Sequence, residues 1–281
     1  MSNRAKLMLA SAGAASALLI LIWFLAFHVG FLERADMRIL GGFADLRRPR
    51  VDPIASFIAR LCNPQPYVYF VGALVGLALA RGRPRVALAI GAIVVGANAT
   101  TQLLKPLLAE PRMVLGGEAP IGAASWPSGH ATAAMSLALC AVPAVPMRLR
   151  PAVATLGAAF AVAVSYSFLA LGWHYPSDVF GGFLVAAAWT LLGVGTLVAL
   201  DARPPRGVGI NPVVRLPART ALGPPAAALL GALALAGLVA LARPQAVVAY
   251  AQAHTTFVVG AGAIGLLGLA LATGVMLALR R

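Results

Sequence analysis

Eight apolar runs, at about 5–28, 66–81, 86–106, 129–147, 150–171, 178–200, 224–242 and 256–279, divide this chain of 281 residues. Most approach or exceed the roughly 20 apolar residues that span a bilayer as a helix. Backbone in hydrocarbon must satisfy its own hydrogen bonds, so such runs in succession predict an all-α, polytopic membrane helix bundle. Composition closes the soluble alternatives. Hydrophobic residues make up 60% of the chain and charged residues only 11%, against roughly 25% charged in soluble domains. The run 66–81 is short and needs its flanks or a thin stretch of membrane to cross. The first run follows Arg4 and Lys6 as in a signal peptide, but it is long and lacks a small-residue cleavage site, so it reads as a retained signal-anchor helix.

The net charge of +14 comes almost entirely from Arg. In a soluble protein it would point to nucleic acid. Here most arginines sit between apolar runs, so they read as topology determinants and contacts to anionic lipid, with no nucleic-acid partner. With the N-terminus in the cytoplasm, the inner loops carry Arg81, Arg83 and Arg85, then Arg148 and Arg150, then Arg203, Arg206, Arg215 and Arg219, then Arg280 and Arg281. All are basic, as the positive-inside bias requires. The exception is 29–63, outside on this reading, with Arg34, Arg38, Arg47, Arg48, Arg50 and Arg60. Its apolar residues recur at helical spacing between those arginines. It predicts one or two interfacial amphipathic helices broken at Pro49 and Pro53.

The domain plan is a six-span membrane domain over 1–200, a basic cytoplasmic linker over 201–223, and a C-terminal transmembrane hairpin over 224–281. Cys62 and Cys140 form no metal pattern and no argument pairs them. Abundant Ala, Gly and Arg beside only two Lys point to a GC-rich genome.

Three polar islands interrupt this apolar chain: Lys105 to Arg112, Pro127-Ser-Gly-His130, and Gly172-Trp-His-Tyr-Pro-Ser-Asp178. The orientation above puts all three on the extracytoplasmic face. Scarce titratable groups at the mouths of membrane helices point to chemistry. His174 and Asp178 are four apart, one face of a helical turn. A carboxylate on one imidazole nitrogen makes the other more nucleophilic, although Ser177 or Asp178 also suits a plain helix cap. Ser128 and Gly129 at a helix start offer backbone N–H groups to an anion, and His130 is placed to protonate a leaving oxygen; a simple Pro-Ser turn with a surface His is the alternative. Lys105 and Arg112 supply a point charge and a fork for phosphate oxygens, or simply snorkel.

The order Lys-x6-Arg, Pro-Ser-Gly-His, His-x3-Asp at successive helix ends resembles the type 2 phosphatidic acid phosphatase family, related to vanadium haloperoxidases and acid phosphatases. The resemblance covers about 64–200, and the three-part signature is highly specific. It implies a lipid-phosphate phosphatase, multi-pass in a bacterial cytoplasmic membrane, acting on a phosphomonoester or pyrophosphate of a lipid: phosphatidate, phosphatidylglycerol phosphate or a polyprenyl (di)phosphate. It implies His174 as the nucleophile forming a phosphohistidine, Asp178 as its orienting partner, and His130 as the acid. Lys105, Arg112, Ser128 and Gly129 would bind the phosphoryl oxygens. No cofactor and no metal are called for, since fixed cations and N–H dipoles stabilise the transferring group.

Two positions depart from the family pattern. Arg112 is followed by Met113 where relatives have Pro. Phe168 stands where relatives place a phosphate-binding Arg, six residues before the histidine. Losing such a cation costs on the order of 2–4 kcal/mol of transition-state binding. It leaves open a lipid phosphotransferase, or a non-catalytic lipid-phosphate binder or transporter. The outer arginines between Arg34 and Arg60 are candidate replacements, one of them expected to reach in. Trp126 and Trp173, beside the two His motifs, either wall the pocket or belong to the interfacial aromatic belt, the belt being the favoured reading.

Overall fold

The computed structural model describes residues 2–112, 121–201 and 217–280. The loop at 113–120, with Met113, and the linker at 202–216, with Arg203, Arg206 and Arg215, lie outside the described residues. Among those described, every regular element is helical. The helices are α1 (Asn3–His28), α2 (Gly30–Ala44), α3 (Asp52–Arg60), α4 (Pro64–Ala80), α5 (Pro84–Leu107), α6 (Gly129–Ala144), α7 (Arg150–Ala170), α8 (Pro176–Asp201), α9 (Ala218–Ala242), α10 (Pro244–Ala253) and α11 (Thr255–Ala278). The fold is the multi-pass membrane bundle that the apolar runs predict. Six of the helices, α1, α5, α7, α8, α9 and α11, are long and apolar enough to cross a membrane.

The other two expected spans are shorter. α4 has 17 residues and α6 has 16, about 24–26 Å of helix against a hydrocarbon core of about 30 Å. α6 tolerates this because it is enclosed by protein. Every residue from Ala131 to Cys140 is buried, and α5, α7 and α8 pack around it. Its small residues let those neighbours approach. A Cβ on Gly157 of α7 would come within 3.0 Å of the Ala138 Cα, and one on Gly182 of α8 within 2.7 Å of the Ser128 carbonyl oxygen. α6 is thereby pinned between two glycine-notched helices.

The segment 29–63 forms the two amphipathic helices expected of it, α2 and α3. Pro49 lies in their connection, while Pro53 sits in the first turn of α3, where a missing N–H is harmless. α2 turns Asp36, Met37, Leu40 and Phe43 inward and packs against α1, α7 and α11. The last two long helices differ from each other. α11 enters the bundle against α7, α6 and α8, with Gly268 close to Val162 and Phe183. α9 rests on α7 and buries only Ala221 and Pro225.

Candidate functional site

The three polar islands meet at one end of the bundle. Lys105 closes α5, Ser128 and His130 open α6, and the third island forms the turn between α7 and α8. Gly172 makes that turn possible. Its φ of +72° is open to glycine at no steric penalty. The Trp173 N–H then bonds back to the Phe168 carbonyl at 3.0 Å, which stops α7 and swings His174 towards the start of α8.

His174 and Asp178 are joined as their spacing predicts. Nδ1 of His174 lies 3.0 Å from Oδ2 of Asp178, and both residues are buried. The same oxygen accepts from the Tyr175 N–H at 3.1 Å, so one carboxylate caps the helix and fixes the imidazole. The structure therefore combines the cap and the His–Asp pair that the sequence left as alternatives. His130 faces His174 with ring centroids 6.4 Å apart. Its Nε2 is 3.0 Å from Oδ1 of Asn63, an acceptor, which assigns the proton to Nε2.

A cavity of about 460 Å³ opens on these groups. His130, His174, Lys105 and Gly129 line it, with Asn98, Gln102 and Tyr67 as further polar groups. Its remaining wall is apolar and includes Val68 and Val95, which are 63% and 68% exposed on the outer sides of α4 and α5. In a membrane bundle such faces meet lipid. Lys105 has no hydrogen-bond or ion-pair partner among the described residues, and the Asp178 carboxylate acts on it electrostatically.

Arg112 does not line this cavity. It lies behind Asp178, its side chain 4% exposed. One terminal nitrogen donates to Asp178 Oδ1 at 2.8 Å, and the other donates to Asp36 Oδ2 at 2.8 Å and to Ser177 Oγ at 2.9 Å. The guanidinium is sandwiched between Phe27 at 4.0 Å and Tyr175 at 4.4 Å. Both terminal nitrogens are thus committed to protein groups, because Asp36 of α2 supplies a second carboxylate. Ser128 is turned inward too. Its Oγ accepts from the Ala131 N–H, and its N–H donates to the Asp178 carbonyl at 3.0 Å, stitching α6 to α8.

Asp36 is the residue that sequence reasoning missed. It accepts from the Ser177 N–H at 2.8 Å and the Ser177 hydroxyl at 2.6 Å as well as from Arg112. Burial pushes its carboxyl up to about 6, against the opposing pull of Arg112. A signal existed: Asp36 shares the inward face of α2 with Leu40 and Phe43 at helical spacing, and a lone acid in an apolar stripe needs a partner. Asn63 and Tyr67 were also missed. The Tyr67 hydroxyl meets Ser136 at 2.8 Å and Asn98 at 2.9 Å, tying α4, α5 and α6 together.

Three sequence expectations change here. The arginines at 34, 38, 47, 48, 50 and 60 are all exposed and none lines the cavity; α2 turns its apolar face inward, whereas α3 buries only Ala55 and Ala59 and leaves Ile54 and Phe57 outside. Arg47 instead pairs with Asp52 at 2.9 Å. Trp126 is no belt residue: it is 1% exposed, in a cluster with Leu19 and Leu184. Trp173 stands 5.7 Å from His130 and walls the histidine pair. Phe168, fully buried, stacks edge-on 5.3 Å from His174, so the departure from the family pattern lies beside the histidine pair.

Residues 69–200 match the family model of the PAP2 superfamily. The fold is similar to the crystal structure of a transmembrane PAP2-type phosphatidylglycerolphosphate phosphatase from Bacillus subtilis, with a TM-score of 0.55 and 20% identity over 70% of this chain and 98% of that one. At that identity the likeness concerns the fold. No curated protein sequence matches the chain.

Proposed function

Residues 69–200 make this chain a member of the PAP2 superfamily, and from that premise we propose that it is a lipid-phosphate phosphatase working through a phosphohistidine on His174. The observation that carries the reading is the buried His174–Asp178 pair, 3.0 Å apart, facing His130 across a cavity whose outer wall is apolar. With Nδ1 bound to Asp178, the Nε2 of His174 is free to attack phosphorus. The P–O bond to the lipid breaks, and His130, in its imidazolium form, gives its Nε2 proton to the leaving oxygen and becomes neutral. Water then attacks the phosphohistidine, returns a proton to His130 and releases inorganic phosphate.

The charge around the reacting group is sparse. Lys105 is the cation at the cavity, Gly129 the small residue at its floor, and Phe168 the apolar neighbour. Arg112 acts in this scheme at one remove, holding Asp178 in place, with Ser128 and Asp36 fixing the frame. A substrate with few charges at phosphorus and an apolar body suits such a pocket. Among phosphatidate, phosphatidylglycerol phosphate and polyprenyl (di)phosphates this favours the monoesters. Val68 and Val95 would receive a chain arriving sideways from the bilayer. By the distribution of arginines, the site faces the extracytoplasmic side.

Phosphate release from these lipids by purified protein in nanodiscs tests the proposal. Release that His174→Ala lacks supports it. Lipid dephosphorylation without inorganic phosphate would mean transfer to another acceptor, and tight binding with no turnover would leave only a binder.

A further inference from the structure

The end of the bundle opposite the histidines carries a second cavity, of about 310 Å³. Arg83, Arg85, Pro143, Val194, Leu197 and Leu279 are among its lining residues. α5 begins here and ends at the histidine site, 24 residues later, about 36 Å away. The two cavities are therefore separate.

The charges at this end are arranged unusually. Arg150 is 8% exposed, at the first position of α7. It donates to the Leu279 carbonyl in the cavity wall, while its Nε is buried with no partner. Arg83 donates to the Pro143 carbonyl at 2.7 Å. Neither Arg83 nor Arg150 has an ion pair among the described residues, and Arg150 lies within electrostatic reach of both Arg83 and Arg81. The first turns of α5 and α7 carry no acidic residue. Two positive helix ends and a group of guanidiniums thus share one place.

Topology alone does not require this. The positive-inside bias is satisfied by charges in water, and an arginine that merely snorkels extends to the surface. Arg150 does neither. A buried guanidinium held by carbonyls and facing like charges gains from an external anion. The rest of the lining is apolar: Pro84, Val86, Pro143 and Leu279, with Val194, Leu197 and Val198 of α8, of which Val194 is buried and the other two half-buried. A free ion would meet apolar wall on that side, whereas an amphiphile would cover it.

We propose that this cavity binds the headgroup of an anionic phospholipid. Its phosphate takes Arg83 and the start of α5, Arg150 supplies charge from behind, and its chains run along Leu197 and Val198. This site needs no turnover at the histidines and stands apart from the proposed phosphatase activity.

The test is thermal unfolding of the purified full-length protein in a neutral detergent, titrated with dioctanoyl phosphatidylglycerol, dioctanoyl phosphatidylcholine or inorganic phosphate. The expected result is saturable stabilisation by phosphatidylglycerol alone. Arg83→Gln, at a half-buried position, should raise the midpoint concentration at least about tenfold, or about 1.4 kcal/mol. Lys105→Gln, which strips the cation from the histidine cavity, should leave that midpoint unchanged. Equal stabilisation by phosphatidylcholine or by inorganic phosphate would overturn the proposal. So would an unaltered midpoint in Arg83→Gln, or a shift in Lys105→Gln as large as that expected of Arg83→Gln.

Discussion

Arg112 and Arg150 are both buried arginines, one at each end of the same bundle, and they are satisfied in opposite ways. Arg112 meets two carboxylates, a hydroxyl and two aromatic faces. Arg150 meets a backbone carbonyl and other positive charges. A guanidinium that must hold another group in one geometry is best surrounded by its own anions, since the fork fixes direction as well as charge. A guanidinium left with carbonyls keeps a positive potential that something outside the protein can use. The first arrangement suits a reacting centre and the second a berth for an anion.

The largest effect should come at the reacting end. His174→Ala should abolish phosphate release altogether, whereas His130→Ala should slow substrates with poor leaving groups most. Near-wild-type hydrolysis by purified His174→Ala would break the comparison, because Arg112 and its carboxylates would then be arranged around nothing. The same assay should survive a chelator and be inhibited by vanadate, which mimics five-coordinate phosphorus. Loss of activity in chelator that a divalent ion restores would point to a different mechanism.

Stability should then separate the two arginines. Arg112→Gln leaves Asp36 and Asp178 buried without their cation, at about 3–5 kcal/mol. Arg150→Gln removes a carbonyl bond and a repelling charge together, at about 1 kcal/mol. Equal losses of melting temperature in one detergent would erase the distinction.

The pH dependence of Asp36 sharpens it further. Its carboxyl sits near 6 when folded, against 3.8 for the ordinary group. The folded state therefore prefers it protonated, so its contribution to stability falls as pH rises from about 4 to about 6 and is level above that. Asp36→Asn should remove that slope, and parallel melting-temperature curves for wild type and variant between pH 4 and 8 would contradict the assignment. The smallest effect belongs to the outer surface. Alanine at Arg34, Arg38, Arg47, Arg48, Arg50 or Arg60 should each leave the hydrolytic rate within about twofold, less than 0.5 kcal/mol. A tenfold loss at any one would mean that α2 or α3 moves to bring a cation to Phe168.

The sequence made the helices legible because membrane helices are set by long apolar runs, and α2 and α3 because their apolar spacing survives among arginines. It made the His174–Asp178 pair legible because a four-residue spacing is local. What it left out is contact between distant elements. Lys-x6-Arg suggests two phosphate ligands, whereas Asp36, which Arg112 also meets, lies 76 residues earlier and no local pattern joins them. Trp126 failed for a related reason: an indole at a helix mouth suits the interface until Gly181 of α8 makes room beside it, where a Cβ would come within 2.9 Å of its ring.

The partners of the site also bear on how far it can be transplanted. The family match begins at residue 69, but Phe27 and Asp36 grip Arg112, Asn63 accepts from His130, and Tyr67 braces α4, α5 and α6. All four precede that boundary. A segment cut there, or a chimera joined there to a foreign leader, would keep every signature residue and lose the hardware that holds them. The workable seam for such a fusion lies before α1, with the amphipathic helices travelling along.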